Sequence, residues 1–102
     1  MKILGVTSCP TGIAHTYMAA EALEEEAKRR GHEVKVETQG SIGVENRITK
    51  DDLKGASAVV ITTDTSIKDV DRFKGIPMVK VSLGSIIKSP SKILDAIEKQ
   101  LG

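Results

Sequence analysis

The chain has 102 residues, 28% of them charged, and a formal net charge of +1. This composition is that of an ordinary globular domain, and the charge is too evenly balanced for a nucleic-acid or anionic-membrane surface. One Tyr, one Phe and no Trp also argue against the aromatic platforms on which bases stack. A single cysteine cannot form an internal disulfide, which favours a reducing, cytoplasmic setting. The length fits one domain, residues 1–102, and no apolar run approaches the roughly 18–20 residues needed for direct membrane insertion.

The first half of the chain predicts a strand, a long helix and a second strand. Residues 2–6 are an apolar run, followed by the turn-rich segment 7–12. A helix is expected from about residue 13 to residue 30, ended by Gly31, with His32 beyond it on solvated surface. Its apolar stripe, spaced by three and four, consists of Ile13, Tyr17, Ala20, Leu23 and Ala27. Residues 33–37 alternate charged side chains with valines, which predicts a half-covered strand.

The second half predicts further strands and short helices. After a glycine-containing loop, Thr49 can cap a short helix through about Lys54. Residues 58–61 form a continuous apolar strand, residues 66–74 a short helix, and residues 79–82 a strand interrupted by charge. Ser89-Pro90 has the residue types that open a helix, so a last helix is expected from there.

The alternation of strands and helices predicts a parallel sheet with right-handed crossovers. The continuous apolar runs belong at its centre, and the charge-interrupted runs belong at its edges. The expected fold is therefore α/β, a three-layer sandwich with a four-stranded parallel sheet of order 2-1-3-4 and helices on both faces. In this order the chain diverges at the carboxyl end of the first strand, where such sheets bind ligands. Cys9 falls at that point.

The placement of Cys9 indicates a nucleophile in an anion-binding turn. Backbone N–H groups at the start of a helix point at a ligand and favour negative charge. The positive potential of these N–H groups also lowers the pKa of a thiol, to roughly 3.5–7.5 in sites of this type, so we expect Cys9 to be a thiolate. The alternative, a small buried hydrophobe, fits a turn flanked by Pro and Gly poorly. The candidate phosphate-binding residues are Pro10, Thr11, Gly12, Ile13, Ala14, His15 and Thr16, and neither a metal nor a cofactor is expected.

The residues that follow Cys9, and their spacing, distinguish two kinds of phosphate chemistry: hydrolysis by a phosphatase and transfer to another molecule. Low-molecular-weight tyrosine phosphatases, which share the expected topology with flavodoxins, use Cys, five residues, Arg, and then Ser or Thr. Here His15 stands in place of the Arg, and Thr16 follows. Asp64 and Asp69 are candidates for a hydrolase's general acid by location only. The spacing favours a loop that passes phosphate on, in which His15 bonds the phosphate, orients the loop, or has no chemical role.

Two segments resemble one known family. The sixteen residues from Cys9 to Glu24 closely resemble the phosphocysteine loop of the fructose-class IIB domain of the bacterial sugar phosphotransferase system. The segment Glu37-Thr38-Gln39-Gly40-Ser41-Ile42-Gly43, with Asn46 just beyond it, is similar to that family's second signature. The resemblance covers most of residues 2–62 and weakens from Thr62-Thr63-Asp64-Thr65 onward, and residues 65–90 carry no signature of the family.

This resemblance implies a phosphoryl relay. A phosphohistidine on a IIA component would donate to Cys9, and the phosphocysteine would pass its group to fructose or a related hexose held by the membrane-embedded IIC permease. The family's phosphate loop maps onto residues 10–16 and its second motif onto residues 37–40. Gln39 and Gly40 are expected to form a supporting loop beside the phosphate, where Gln39 could offer an amide donor. The alternative for this loop is that it contacts no ligand.

The sequence is also compatible with other functions. The chain could be a low-molecular-weight cysteine phosphatase or an arsenate-reductase-like enzyme, or a regulatory module that carries phosphate without sugar transfer. A flavodoxin-type electron carrier would need aromatic flanks that Tyr17 and Phe73 are poorly placed to supply. Alone, the chain is expected to be monomeric and cytoplasmic, and to meet the inner membrane only through the permease.

Overall fold

Strands and helices alternate along the chain, as the sequence predicts. The computed structural model describes residues 1–9, 13–40 and 43–101. The strands are β1 (Lys2–Thr7), β2 (Glu33–Gly40), β3 (Gly43–Glu45), β4 (Ala58–Thr62) and β5 (Met78–Val81). The helices are α1 (Ile13–Arg29), α2 (Lys50–Leu53), α3 (Leu83–Lys88) and α4 (Pro90–Leu101), and a 3-10 turn spans Val70–Phe73.

The strands form one five-stranded sheet of order β3-β2-β1-β4-β5. Strand β1 lies between β2 and β4 and is parallel to both, and β5 is parallel to β4 at one edge. The α/β class and the relative order of the four predicted strands are confirmed. The strand count of four and the all-parallel sheet are wrong, because β3 adds an antiparallel edge strand beside β2. Gly43 has a φ of 115°, which favours glycine, and pairs with Gly40 at the start of that hairpin.

One face of the sheet is covered by α1, α3 and α4. The α1 stripe is confirmed at Ala20, Leu23 and Ala27, which are buried against the strands. Helix α1 lies close to β1 at Gly5, where an added Cβ would stand 2.7 Å from Leu23 Cδ2. The buried side chains of α3 and α4 on this face are Leu83, Ile86, Ile93, Leu94 and Ile97. Helix α3 has no counterpart among the predicted elements.

The second face has a thinner cover. Helix α2 is a single turn, and Thr49 caps it as predicted, in a capping box with Asp52. The short helix expected over residues 66–74 is instead the 3-10 turn, because Asp69 adopts a left-handed φ of 59° immediately before it. The buried apolar side chains of this face are Leu4, Val6, Ile48, Val59, Ile61 and Phe73.

Far from Cys9, the end of α1 meets α4 in a cluster of charged groups. Arg30 pairs with Glu26, four residues earlier, and with Glu98 of α4, at 2.7 and 2.9 Å. The His32 side chain is only 12% exposed, and its Nε2 lies 2.7 Å from Glu98 Oε2. The interpretation of His32 as solvated surface is therefore wrong, because α4 crosses the end of α1 and covers it. None of the helices in the part of the chain that the structure describes combines the length and apolar character needed to cross a bilayer.

Candidate functional site

Cys9 lies between the end of β1 and the start of α1, at the carboxyl edge of the sheet. The hydroxyl of Thr7 donates to the carbonyl oxygen of Thr16 at 3.1 Å, which ties the last residue of β1 to the first turn of α1. Cys9 itself is half-buried and packs at the border of the apolar core under α1. Pro10, Thr11 and Gly12, which the sequence assigns to phosphate binding, lie outside the described residues.

Ser8 joins the ends of three strands beneath Cys9. Its backbone N–H donates to Thr62 Oγ1 of β4 at 3.1 Å. Its hydroxyl donates to the carbonyl oxygen of Gln39 of β2 at 2.7 Å. All three residues are buried, so hydrogen bonds in a low-dielectric setting fix the backbone immediately before the cysteine. The sequence pattern does not mark Ser8 or Thr62 as site residues, because their partners lie far away along the chain.

A pocket of about 280 Å³ opens beside Cys9. Its described lining residues are Ser8, Cys9, Gln39, Gly40, Gly43, Val44, Thr65, Ser66 and Lys68. The structure thus brings Cys9, Gln39 and Gly40 together, as predicted, and adds the segment 65–68, which carried no sequence signature. Among these described lining residues Lys68 is the single charged one, so the lining contains a cation and no carboxylate.

The side-chain amide nitrogen and oxygen of Gln39 both have hydrogen-bond partners within the protein. Its amide nitrogen donates to Glu37 Oε2 at 2.8 Å and to the carbonyl oxygen of Lys68 at 3.1 Å. Its amide oxygen accepts from the backbone N–H of Lys68 at 2.8 Å. The expectation that Gln39 offers an amide donor to phosphate is therefore wrong in this structure, because both amide hydrogens have partners. Gln39 instead holds the 65–68 segment against β2.

A buried ion pair lies behind Gln39. The Glu37 carboxylate, with no exposed surface, accepts hydrogen bonds from Arg72 at 2.8 and 2.6 Å and from the Ile48 backbone N–H at 2.9 Å. Burial raises the pKa of Glu37, but hydrogen bonds from Arg72, Gln39 and Ile48 outweigh it and hold the pKa below its ordinary value. The Arg72 guanidinium also lies 4.6 Å from the centre of the Phe73 ring. The carboxylate therefore stays charged and its charge is balanced internally.

The first turn of α1 supplies the described part of the predicted phosphate loop. Ala14 and His15 are exposed, whereas Thr16 is buried. Helix α1 begins at Ile13, as predicted, so its first backbone N–H groups belong to the segment that follows Cys9. The structure thus leaves His15 on the surface near the start of α1, where it is accessible to a partner.

The two aspartates considered as general acids are engaged elsewhere. Asp64 Oδ1 accepts from the backbone N–H of Leu83 at 2.6 Å, and Asp69 pairs with Arg47 at 3.0 Å. Neither aspartate lines the pocket beside Cys9. Within residues 1–9, 13–40 and 43–101, no three His, Cys, Asp or Glu side chains are grouped closely enough to hold a metal ion. The described pocket lining therefore contains a cysteine sulfur, polar groups and one lysine, and no carboxylic acid that could protonate a leaving group.

Comparisons with known proteins agree with this geometry. The family model described as the lactose/cellobiose-specific IIB subunit of the phosphotransferase system matches residues 4–96. The fructose-like EIIB component 2 of Escherichia coli K12 is 52% identical over 100 residues, which cover 98% of this chain and 94% of that protein. The fructose-specific EIIB'BC component of Vibrio cholerae is 47% identical over 93 residues, 91% of this chain but 16% of that longer protein.

A solved structure matches the fold closely. The crystal structure of a domain from the fructose-specific IIABC component of Borrelia burgdorferi has a TM-score of 0.89 and 45% identity, covering 96% of this chain and 93% of that one. The chain therefore belongs to the IIB family of the bacterial phosphotransferase system. It is a fructose-like IIB domain, a class that acts in phosphoryl transfer during sugar uptake, so the resemblance found in the sequence is confirmed.

Proposed function

We propose that Cys9 accepts a phosphoryl group from the phosphohistidine of a IIA component and passes it to fructose, or a related hexose, held by a IIC permease. Residues 1–102 would act as a single IIB domain, monomeric by itself, at the cytoplasmic side of the inner membrane. The observation that carries this proposal is the position of Cys9, half-buried on a pocket where β1 ends and α1 is about to begin.

The local electrostatics support a thiolate that exchanges phosphate. A helix start of this kind contributes backbone N–H groups and the positive end of the helix dipole, which stabilise both a thiolate and a phosphoryl group. Residues 10–16 would hold the phosphoryl oxygens through these groups. Gln39 and Gly40 would support the loop from β2, since Gln39 is fixed by Glu37 and Lys68.

The two transfers are chemically balanced. In the first, the Cys9 thiolate attacks phosphorus, an S–P bond forms, the P–N bond of the phosphohistidine breaks, and the imidazole leaves. In the second, a sugar hydroxyl attacks phosphorus and releases its proton to solvent, an O–P bond forms, and the S–P bond breaks to return the thiolate. Each step depends mainly on alignment and on stabilising the charge of the transferred group. The lack of a carboxylic acid in the described pocket lining favours this exchange over hydrolysis.

The names of the relatives indicate which kinds of protein the partners would be. The Vibrio cholerae relative is an EIIB'BC component and the Borrelia burgdorferi domain comes from a IIABC component, so related domains occur in proteins that carry IIA or IIC parts. Partners of this kind would have to reach the sulfur. A half-buried Cys9 beside the exposed Ala14 and His15 is compatible with docking from solvent.

The decisive experiment is phosphorylation of the purified domain. Phosphoenolpyruvate, the general phosphotransferase proteins and a fructose-class IIA domain should add one phosphoryl group, detected by intact mass and located on Cys9 by peptide mapping. Cys9→Ser should gain none, and His15→Gln should still gain it, because the acceptor is the sulfur. Permease membranes with fructose should then remove the group.

Three results would contradict the proposal. Label on a residue other than Cys9, or none in the wild type, would remove the acceptor role. Rapid turnover of p-nitrophenyl phosphate would indicate a phosphatase. Retention of the phosphocysteine with matching permease and sugar would indicate a regulatory carrier.

A further inference from the structure

The described Cys9 site lacks the cation that the phosphatase pattern would place there. A phosphoryl group on sulfur carries roughly −1.5 to −2 charges at neutral pH. In the phosphatase spacing an arginine six residues after the cysteine balances such a charge, whereas this chain has His15 at that position. A second source of positive charge would therefore assist both binding and transfer.

The position of Lys68 suits it to be this second source of positive charge. It lines the same pocket as Cys9, together with the hydroxyl residues Thr65 and Ser66. Every ion pair identified in the described ranges joins other residues, so the Lys68 ammonium is not neutralised by a carboxylate there. Because no carboxylate lines the described pocket, its net charge favours an anion.

The backbone N–H and carbonyl groups of Lys68 are both hydrogen-bonded to the side chain of Gln39. Gln39 accepts from the N–H at 2.8 Å and donates to the carbonyl at 3.1 Å. Gln39 in turn is held by Glu37, and Glu37 is held by Arg72. A chain of buried and part-buried hydrogen bonds thus sets the distance between the 65–68 segment and β2, whose end also accepts a hydrogen bond from Ser8 at the Gln39 carbonyl. Gln39 therefore fixes the position of Lys68 relative to the backbone that precedes Cys9.

We propose that Lys68 binds the phosphoryl group at the Cys9 pocket and supplies the positive charge that the arginine of the phosphatase pattern would provide, with Gln39 as the residue that positions it. This inference rests on the proposed function for its biological meaning and on the pocket for its chemistry. Lys68 acts as a catalytic residue in contact with the transferred group, and Glu37 and Arg72 act on it only through Gln39.

The test uses inorganic phosphate as the probe and the unmodified domain. Amide chemical shifts of residues 8–9, 11–16 and 39–40 are followed by NMR during a phosphate titration at low ionic strength, for the wild type, Lys68→Met and Lys68→Arg. We expect Lys68→Met to weaken binding about three- to tenfold, the range for one charge-assisted hydrogen bond open to solvent. Lys68→Arg keeps the charge and should retain most of the affinity.

Lys74→Met is the matched control, since Lys74 is an exposed lysine outside the Cys9 pocket. It should bind phosphate as the wild type does. Equal affinity of Lys68→Met and wild type would overturn the inference, as would a wild type that shows no saturable shifts around Cys9. A result in which phosphate binding depends on Lys68 but no label reaches Cys9 would support this inference and contradict the transfer. A result in which Cys9 is labelled and Lys68→Met binds phosphate normally would contradict this inference and support the transfer.

Discussion

Strand β2 presents different chemistry to the two faces of the sheet. Val34 and Val36 pack into the apolar cluster under α1, α3 and α4. The alternate residues, Lys35 and Glu37, lie on the second face with Leu4 and Val6, their partners in the β1 register. There Lys35 pairs with Asp52 of α2 at 2.7 Å, and Glu37 pairs with Arg72 at 2.6 Å.

This contrast follows from what covers each face. Three helices exclude water from the first face, so apolar burial stabilises it. The second face has a one-turn helix and a 3-10 turn, which are too short to present a full apolar stripe. The short elements that cover this face are therefore held partly by ion pairs. One of these pairs, Glu37–Arg72, is hydrogen-bonded to Gln39, which lines the Cys9 pocket. The polar face therefore positions the Lys68 side of the pocket, whereas Cys9 itself packs against the apolar face under α1.

The largest expected effect of a single change is on the second face. Arg72→Leu keeps an apolar stem beside Phe73 but leaves the Glu37 carboxylate buried without its cation. Removing one partner of a buried pair typically costs about 3–5 kcal/mol of the free energy of unfolding. Urea denaturation followed by circular dichroism would measure the loss.

Two comparisons make this result specific. Arg47→Leu removes the exposed pair with Asp69 and should cost less than about 1 kcal/mol. The double variant Glu37→Leu/Arg72→Leu removes both charges and should recover a large part of the loss, since no unpaired charge stays buried. A double variant no more stable than Arg72→Leu would show that the pair itself, rather than the orphaned carboxylate, accounts for the stability.

The sequence predicted the features that depend on local pattern or topology. Apolar runs located β1 and β4, and the spacing of Ala20, Leu23 and Ala27 located the buried stripe of α1. Thr49 and Ser89-Pro90 marked helix starts through cap chemistry that involves neighbours only. The position of Cys9 at the switch point followed from the strand order, because a parallel sheet of this order opens there.

The features that the sequence did not reveal depend on contacts between distant residues. Glu37 and Arg72 are 35 residues apart, and Gln39 and Lys68 are 29 apart, so no local window contains either pair. The six residues of α3 and the three of β3 are too few to show periodicity. His32 looked solvated because its cover comes from Glu98, 66 residues later.

A second prediction probes the close packing of the first face. Gly5→Ala places a Cβ 2.7 Å from Leu23 Cδ2, and Leu23 is fully buried, so it cannot move without disturbing α1. Overpacking of this kind should lower the free energy of unfolding by about 1–3 kcal/mol. Gly84→Ala is the matched control, because nothing lies within 4 Å of its added Cβ in α3. The control should be stabilising by about 0.5–1 kcal/mol through helix propensity, and equal effects at the two glycines would argue against close packing of α1 on β1.

The smallest expected effect is the pH dependence of the Lys35–Asp52 pair. The hydrogen bond from Lys35, with those from Thr49, lowers the pKa of Asp52 from 3.8 to about 2. A carboxyl group whose pKa is lower in the folded state stabilises the fold above its unfolded pKa and loses that contribution as the pH falls through the folded pKa. Asp52→Asn should therefore be less stable than the wild type at neutral pH, and the difference should shrink between about pH 4 and pH 2. Urea midpoints across this range would measure it.

Lys35→Met tests the cause assigned to that dependence. It removes the largest contribution to the lowered pKa of Asp52, so its stability should vary less with pH in the same window than that of the wild type. Adding Asp52→Asn to Lys35→Met should then cost less than Asp52→Asn does alone, because the two side chains act through one contact. Independent, additive losses would mean that Asp52 stabilises the fold through its capping box with Thr49 and not through the ion pair to β2. Of the two ion pairs that β2 makes on that face, Glu37–Arg72 would then be the one that stabilises its cover.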